Sequence, residues 1–243
     1  MKNVYVFTIL LLIRCQLYSQ ENVLYQTGLT ADQNLEAIGK LAPYSTGGVG
    51  FDSRYEGIKG SPQLFENLLP SLLRVQGQEY YLQLESNLDI TRNLLIFKYP
   101  RTGKLLSIPS DMVKEVKIKS NGNEMIFRVT REKNFEREIK DGRFYQVLMD
   151  GDILFIKLPI KKIVEADFKA VYSPDRRYDE YTTYYKYYIM RSDSTFHQIL
   201  LNKKSLIKIF PEKKELISNS FEEKSSENDE DVVLNVLNKI ITR

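Results

Sequence analysis

Residues 144–157 read FYQVLMDGDILFIK, two apolar runs on either side of the dipeptide Asp150-Gly151. Asp-Gly favours a two-residue hairpin turn, in which both central residues have a positive φ. A turn of this kind sets Val147 opposite Leu154 and leaves both faces of the hairpin largely apolar. We therefore expect these two strands to be covered on both sides and to lie at the centre of the core.

A second hairpin is predicted around Asn121-Gly122. Its turn sets four pairs of residues opposite each other: Val116 and Phe127, Ile118 and Met125, Glu115 and Arg128, and Lys119 and Glu124. The first two pairs are apolar, and the last two join opposite charges. This alternation predicts a strand pair with one buried face and one solvent-exposed face.

The chain changes its periodicity near residue 201. Before this point, short apolar runs alternate with turns, and residues 163–172, beyond Pro159, are predicted to form a further strand. After it, residues 203–210 have helical spacing, and Pro211 starts a second predicted helix because proline is favoured at the first helical position. A last helix is predicted over residues 231–241.

Strands followed by helices are typical of the α+β class. We predict an antiparallel β-sheet that is a meander of hairpins and is followed by C-terminal helices. Whether the sheet closes like a barrel is left open. The last helix is predicted to bury one apolar stripe, which comprises Val233, Leu234, Leu237, Ile240 and Ile241.

The N-terminus has the layout of a secretory signal peptide. Lys2 supplies a positive charge, residues 4–13 form an apolar run, and Ser19 is a small residue at the position before cleavage. We expect cleavage after Ser19 and export to the periplasm or the cell exterior. A lipoprotein signal at Cys15 is the other interpretation, and the large charged Arg14 before the cysteine disfavours it.

The predicted organisation has four parts. They are the signal peptide at residues 1–19, an extended and partly disordered N-terminal arm at 20–61, an antiparallel β domain at 62–201, and a helical segment packed on or beside the sheet at 202–243.

Charge and cysteine content exclude several classes of protein. Cleavage removes Cys15, the only cysteine of the chain, so the mature protein has neither a disulfide nor a thiolate site. The formal net charge of +3 falls to +1 when Lys2 and Arg14 leave with the leader. A nucleic-acid-binding protein normally carries a basic surplus, so we expect no nucleic-acid partner.

We predict no catalytic residue, no metal site and no cofactor. His197 is the only histidine, and a single histidine can neither complete a metal site nor form a catalytic set. Asp150 and Asp152 flank Gly151, but they lack the additional oxygen ligands of a calcium loop, and a turn explains them. Acidic pairs of the kind that hydrolyse glycans depend on their separation in space, which sequence spacing does not give.

A run of tyrosines is the most unusual feature of the composition. Alternation along a strand places Tyr181, Tyr185 and Tyr187 on one face, and Tyr184 and Tyr188 on the other. The favoured interpretation is that these rings fill the core and shield the sheet. The alternative is a surface that binds a protein or a sugar. Its candidate residues are Tyr178, Tyr181, Tyr184, Tyr185, Tyr187, Arg176 and Arg177.

Several short motifs occur in an order that resembles a known family. They are Gly60-Ser61-Pro62, Tyr145-Gln146-Val147-Leu148 with Asp150-Gly151, the strand at residues 184–189, and Asn202-Lys203-Lys204-Ser205-Leu206 with the helices after it. From residue 57 onward, the chain resembles a widespread group of exported proteins in Bacteroidota that has no assigned activity. The resemblance implies a secreted or cell-envelope setting and no functional residues.

Three functional hypotheses follow. The first is an exported, non-enzymatic α+β domain that contacts another protein of the cell envelope. The alternatives are a glycan-binding module and a carboxylate-dependent enzyme that acts on glycans. The mature chain is predicted to have no transmembrane span, and its oligomeric state is left open.

Overall fold

The computed structural model describes residues 25–26, 33–34, 37, 58–130, 142–165, 178–191, 195–223 and 228–242. The predicted signal peptide, most of the predicted arm, residues 166–172 of the strand predicted beyond Pro159, and Arg176 and Arg177 lie outside these residues.

The described residues form one open antiparallel sheet followed by helices, which confirms the α+β class. Its strands are β1 (Tyr25–Gln26), β2 (Leu69–Val75), β3 (Tyr81–Asp89), β4 (Leu94–Lys98), β5 (Leu105–Pro109), β6 (Val113–Ser120), β7 (Asn123–Val129), β8 (Phe144–Met149), β9 (Leu154–Val164), β10 (Glu180–Met190) and β11 (Phe196–Ile199). The spatial order is β11-β10-β9-β8-β7-β6-β2-β3-β4-β5, and β1 pairs in parallel with the start of β3. Strands β5 and β11 are the two edges, so the sheet does not close like a barrel.

Three helices follow the sheet. They are α1 (Lys203–Ile209), α2 (Lys214–Glu223) and α3 (Asp229–Ile241). Asn202 caps α1 by accepting a hydrogen bond from the Ser205 backbone N–H at 2.9 Å, and Pro211 opens a 3-10 turn just before α2, as its position predicts. No helix in the described ranges is long and apolar enough to cross a membrane.

The hairpin of β6 and β7 has the predicted turn and register. Asn121 and Gly122 have φ values of 50° and 84°, and all four predicted pairs lie opposite each other. The predicted exposure of the charged face is wrong at Glu115, however, which is only 4% exposed.

The central hairpin of β8 and β9 has a longer turn than predicted. Val147 pairs with Ile156 instead of Leu154, a bulge follows Val147, and only Gly151 of the two turn residues has a positive φ. One reason is that the Asp150 carboxylate accepts a hydrogen bond from Arg128 Nη2 at 2.7 Å, which ties the start of the turn to β7.

Up to Val147 the new register differs from the predicted one by two residues, so these side chains keep their predicted faces. Beyond the bulge the shift is three residues, and Met149 pairs with Phe155. Phe155 and Ile156 are both fully buried on opposite faces of β9. The expectation that this hairpin is covered on both sides is therefore confirmed.

Strand β9 continues through Pro159 to Val164, so Ile163 and Val164 do not begin a separate strand as predicted. Strand β8 pairs with β9 only as far as Lys157. On the side of β9 that faces β8, no described strand pairs with Pro159. A proline at such an unpaired position destabilises the sheet little, although it lacks a backbone N–H.

Two hydrophobic clusters occupy one face of the sheet, and a third occupies the opposite face. The first lies on β2–β8, and the second joins β9–β11 to the helices. The third is made of Tyr145, Leu154, Ile156, Leu158, Tyr188 and Phe196.

Helix α3 packs into the second cluster with a different stripe from the one predicted. Its buried residues are Val232, Val233, Val236 and Leu237. Leu234 and Ile240 are only partly buried, and Ile241 is 42% exposed. The helix is rotated so that the spacing 232, 233, 236 and 237 faces the sheet, which is the i, i+3, i+4 pattern of a packed helix.

A strap at residues 58–68 connects two distant strands of the sheet. Lys59 forms a bridge with Glu180 of β10, and Gln63 forms one with Asp89 of β3. Gly60 makes the bend between them at a φ of 90°, a conformation that favours glycine.

Asn87 is fully buried in β3, and its side chain holds the strap in place through hydrogen bonds. Its Oδ1 accepts a hydrogen bond from the Phe65 backbone N–H at 3.1 Å. Its Nδ2 donates to the carbonyl oxygens of Phe65 and Asn67 and to the Gln63 side chain.

We predict that Asn87→Ala lowers the free energy of unfolding by about 2–3 kcal/mol, because it leaves buried strap groups without partners. Asn87→Asp is the matched variant, since it keeps the acceptor for Phe65 but loses the donor. Urea unfolding measures the cost, and hydrogen exchange at the Phe65 amide should increase in Asn87→Ala far more than in Asn87→Asp. Equal exchange at Phe65 in both variants would contradict this role.

Glu115 is the centre of a charged network on the same face as the third cluster. Its carboxylate accepts hydrogen bonds from the Tyr81 hydroxyl and from Arg128 Nε, the latter at 2.8 Å, and Arg74 Nη2 lies 3.6 Å away. Burial raises the pKa of Glu115, but the hydrogen bonds from Tyr81 and Arg128 outweigh it and hold that pKa below its ordinary value.

We predict that Glu115→Ala lowers the free energy of unfolding by about 2–3 kcal/mol, because it removes the buried carboxylate that pairs with the half-buried Arg74 and Arg128, while Arg128 keeps its ion pair with Asp150. Glu124→Ala on the same hairpin is the control. Its contact with Lys117 is 3.9 Å long and half-exposed, so its cost is expected below about 0.5 kcal/mol. Because the pKa of Glu115 is lowered in the folded state, its contribution is complete above pH 4.5 and is lost as pH falls. Urea unfolding from pH 7 to pH 3 should therefore show the two proteins converging at low pH, and a constant difference would contradict the assignment.

Candidate functional site

Strands β9 and β10 extend beyond their neighbours and form a two-stranded projection. β8 pairs with β9 only up to Lys157, and β11 pairs with β10 only from Tyr187 onward. We call residues 157–164 with residues 178–187 the tyrosine ribbon. Here the two strands pair mainly with each other, in a register that sets Tyr185 opposite Pro159.

The register confirms the predicted faces of the tyrosines, and their burial differs widely. Tyr178 and Tyr185 are 66% and 45% exposed, whereas Tyr181 is buried and its backbone N–H donates a hydrogen bond to the Lys59 carbonyl of the strap at 2.9 Å. Tyr184 and Tyr187 are half-buried. The shielding interpretation therefore applies to the buried ring of Tyr181, and the exposed rings of Tyr178 and Tyr185 are the candidates for a binding surface.

Lysines lie over the rings on both faces of the ribbon. Lys157 Nζ is 4.4 Å from the centroid of the Tyr185 ring, and Lys162 Nζ is 5.2 Å from that of Tyr184. Both distances are within the range of a cation–π attraction. These contacts hold long lysine side chains against the strands and give each tyrosine face a neighbouring positive charge.

Glu230, from the first turn of α3, completes the charged cluster at the base of the ribbon. Its Oε2 accepts a hydrogen bond from the Tyr187 hydroxyl at 2.8 Å and lies 2.7 Å from Lys157 Nζ. Burial and the Glu230 carboxylate raise the pKa of Tyr187 above its ordinary value. The Tyr187 ring also stacks on Phe155 at 5.9 Å, so the ribbon is anchored to the second hydrophobic cluster.

Aliphatic residues are exposed at the far end of the ribbon. Ile163 and Val164 are 41% and 44% exposed, on the strand that ends near the exposed Tyr178. Lys161 fastens this end to the strap, because its Nζ donates a hydrogen bond to the Ser61 carbonyl at 2.6 Å. Burial lowers the pKa of Lys161, and the Asp89 carboxylate partly opposes that effect.

The other residues considered for chemistry lie away from the ribbon. His197 is in β11, opposite Ile189. Glu115 and Asp150 converge on Arg128, which fits an ion-pair network rather than the acid and base of a glycosidase. In the part of the chain that the structure describes, no three His, Cys, Asp or Glu side chains are grouped as metal ligands.

Sequence reasoning found the tyrosines but missed their partners. The partners are Lys157 and Lys162 of β9 and Glu230 of α3. Their positions relative to β10 depend on the lengths of the segments that connect these elements. Two lysines five residues apart in the largely apolar sequence of β9 were the available signal, and this signal becomes informative only when the register that sets Tyr185 opposite Pro159 is known.

We predict that Glu230→Ala lowers the free energy of unfolding by about 1–2 kcal/mol and loosens the start of α3, because Lys157 and Tyr187 lose their shared acceptor. Glu222→Ala is the control. Its ion pair with Lys203 is at the surface, so its removal should cost less than about 0.5 kcal/mol. Urea unfolding and hydrogen exchange at the Val233 amide measure the two effects. Unchanged exchange in α3 would contradict the anchoring role of Glu230.

No family model, no curated protein and no solved structure matches this chain. Its function therefore has to be inferred from the chemistry of its own residues.

Proposed function

We propose that this chain is exported to the cell envelope and acts there as a non-enzymatic binding protein that contacts another protein through the tyrosine ribbon. The layout of residues 1–19 and the resemblance to exported proteins of Bacteroidota support the location. The exposed end of the ribbon supports the activity.

The observation that carries the proposal is the clustering of exposed rings and aliphatic side chains on one projection. Tyr178, Tyr185, Ile163 and Val164 are all at least 41% exposed. Tyrosine is enriched in protein interfaces because its large, rigid ring buries much area at a low cost in conformational entropy. Ile163 and Val164 are successive and point to opposite faces, so the two paired strands offer preorganised contacts on both faces, and a partner that uses them all contacts the projection from both sides.

The charges around this surface fit a partner with an apolar centre and a polar rim. Lys157 is 20% exposed and engaged with Glu230, so it positions Tyr185 more than it attracts a distant charge. Lys59 at the strap pairs loosely with Glu180 at 3.9 Å, with both side chains exposed. Charged groups at a rim set orientation and association rate more than affinity.

A glycan is the second candidate ligand, and the exposed ring of Tyr185 favours it. An aromatic ring with a nearby lysine offers an apolar face for a sugar ring and a donor for its hydroxyls. The two candidate ligands differ in the area that they would contact. A glycan would depend on Tyr185, whereas a protein would also contact Ile163 and Val164.

We predict that Tyr178→Ala combined with Tyr185→Ala weakens binding of the envelope partner at least about tenfold, since exposed aromatic anchors dominate interface energies. The test is crosslinking in intact cells, followed by titration of the purified partner. Leu105→Ala is the control, because Leu105 is similarly exposed, at 39%, but lies on the edge strand β5. Equal crosslinking by all three proteins would contradict a contact at the ribbon.

Export and ligand class are checked in the same experiment. Protein recovered from the envelope should begin at Gln20, and an intact leader on cytosolic protein would contradict export. Soluble envelope polysaccharide is titrated beside the protein partner. If only the polysaccharide binds, and Ile163→Ser has no effect on it, the glycan function replaces the protein-binding one.

A further inference from the structure

A groove of about 610 Å³ lies between the edge strand β11 and helix α1. Residues 197–200 line one side of it, and Ser205, Lys208 and Ile209 line the other, with Arg191 at one end. Successive residues of a strand point to opposite faces of the sheet. A wall made of four successive residues therefore follows the edge of the strand, not one of its faces.

The helical wall has the matching geometry. Ser205, Lys208 and Ile209 are spaced i, i+3 and i+4, so they lie on one face of α1. Strand β11 is the last strand of the sheet, and no other described strand lies beyond it. A slot between an edge strand and a helix is the arrangement in which proteins hold an extended peptide segment.

The charge of the groove is one-sided. Arg191 and Lys208 are positively charged, and no acidic residue is among the described residues that line it. Gln198 and Ser205 add an amide and a hydroxyl that can donate hydrogen bonds. An occupant that carries carboxylates complements this surface.

Arg191 is held rigidly in place. Its Nη1 donates a hydrogen bond to the Ile209 carbonyl at 2.7 Å, and its guanidinium lies 5.0 Å from the centroid of the Phe210 ring. Glu212 is 3.5 Å from Nη2, outside the lining of the groove. A fixed guanidinium loses little entropy when it binds a carboxylate, which favours recognition at this end.

The groove also has apolar contacts. Ile199 is buried beneath it, and Leu200 at its mouth is 66% exposed, among the highest exposures of any large hydrophobic residue in the described ranges. An occupant with apolar side chains on one side and carboxylates on the other would cover Leu200 and meet Lys208 together.

We propose that this groove binds an extended acidic peptide segment of a partner protein, with the segment lying along the outer edge of β11 and its carboxylates at Arg191 and Lys208. The site is separate from the tyrosine ribbon and does not depend on the proposed function of that surface.

The probe is a fluorescent ten-residue peptide in which glutamates alternate with valine or threonine, and the reference peptide has glutamine in place of each glutamate. Both are titrated against the full chain by fluorescence anisotropy at low and at moderate salt. We expect the acidic peptide to bind at least about tenfold more tightly than the reference, with a preference that decreases as salt increases.

Lys208→Glu is the decisive variant, and Lys204→Glu is its matched control. Both lysines are exposed on α1 one turn apart, and only Lys208 lines the groove. Lys208→Glu should weaken binding of the acidic peptide about tenfold or more, whereas Lys204→Glu should change it less than about threefold. The variant with Tyr178→Ala and Tyr185→Ala should bind the peptide like the wild type.

Three results would overturn the proposal. They are equal binding of the two peptides, equal weakening by the two lysine variants, and loss of peptide binding in the ribbon variant. Circular dichroism and urea unfolding confirm that each variant is folded before its titration is interpreted.

Discussion

Strands β9 and β10 are each 11 residues long, whereas their outer neighbours β8 and β11 have only six and four residues. This mismatch determines which parts of the molecule are core and which are surface. Where all four strands lie side by side, successive residues of β9 are buried on opposite faces. Phe155 is buried in the second cluster with the helices, and Ile156 is buried in the third cluster. Where β9 and β10 continue alone, the same alternation brings lysines and tyrosines to the surface.

A projecting strand pair has few stabilising neighbours, and the structure compensates with polar contacts at its base and at its end. At the base, Glu230 joins Lys157 and Tyr187 to the first turn of α3. At the far end, the strap bridges Glu180 and accepts a hydrogen bond from Lys161. Lys157, Lys161 and Lys162 are each within range of a ring, a carboxylate or a carbonyl. Pro159 lies on β9 beyond the last residue that pairs with β8, and a proline at such an unpaired position disfavours pairing with strands of other molecules.

Local rules were sufficient for the β6–β7 hairpin and insufficient for the β8–β9 hairpin. At Asn121-Gly122 the preferred turn and the cross-strand charges agree, so turn type and register could be predicted together. At Asp150-Gly151 the turn preference competes with a long-range hydrogen bond from Arg128, which sequence spacing does not reveal. Up to the bulge after Val147 the faces were still predicted correctly, because an even shift of register preserves them. Burial of Glu115 was missed for a similar reason, since Tyr81 and Arg74 reach it from strands distant in sequence.

The candidate surfaces show the same division between local and long-range information. The tyrosine run was visible in the sequence, but which rings are exposed depends on where β8 and β11 end and on the strap that covers Tyr181. His197 offered no signal by itself, because the cations around it come from the end of β10 and from α1. Strand β10 thus gives one end to the ribbon and the other to the groove, and its short neighbour β11 separates the two. Both proposed contact surfaces on this strand therefore depend on the difference in length between β10 and its neighbours.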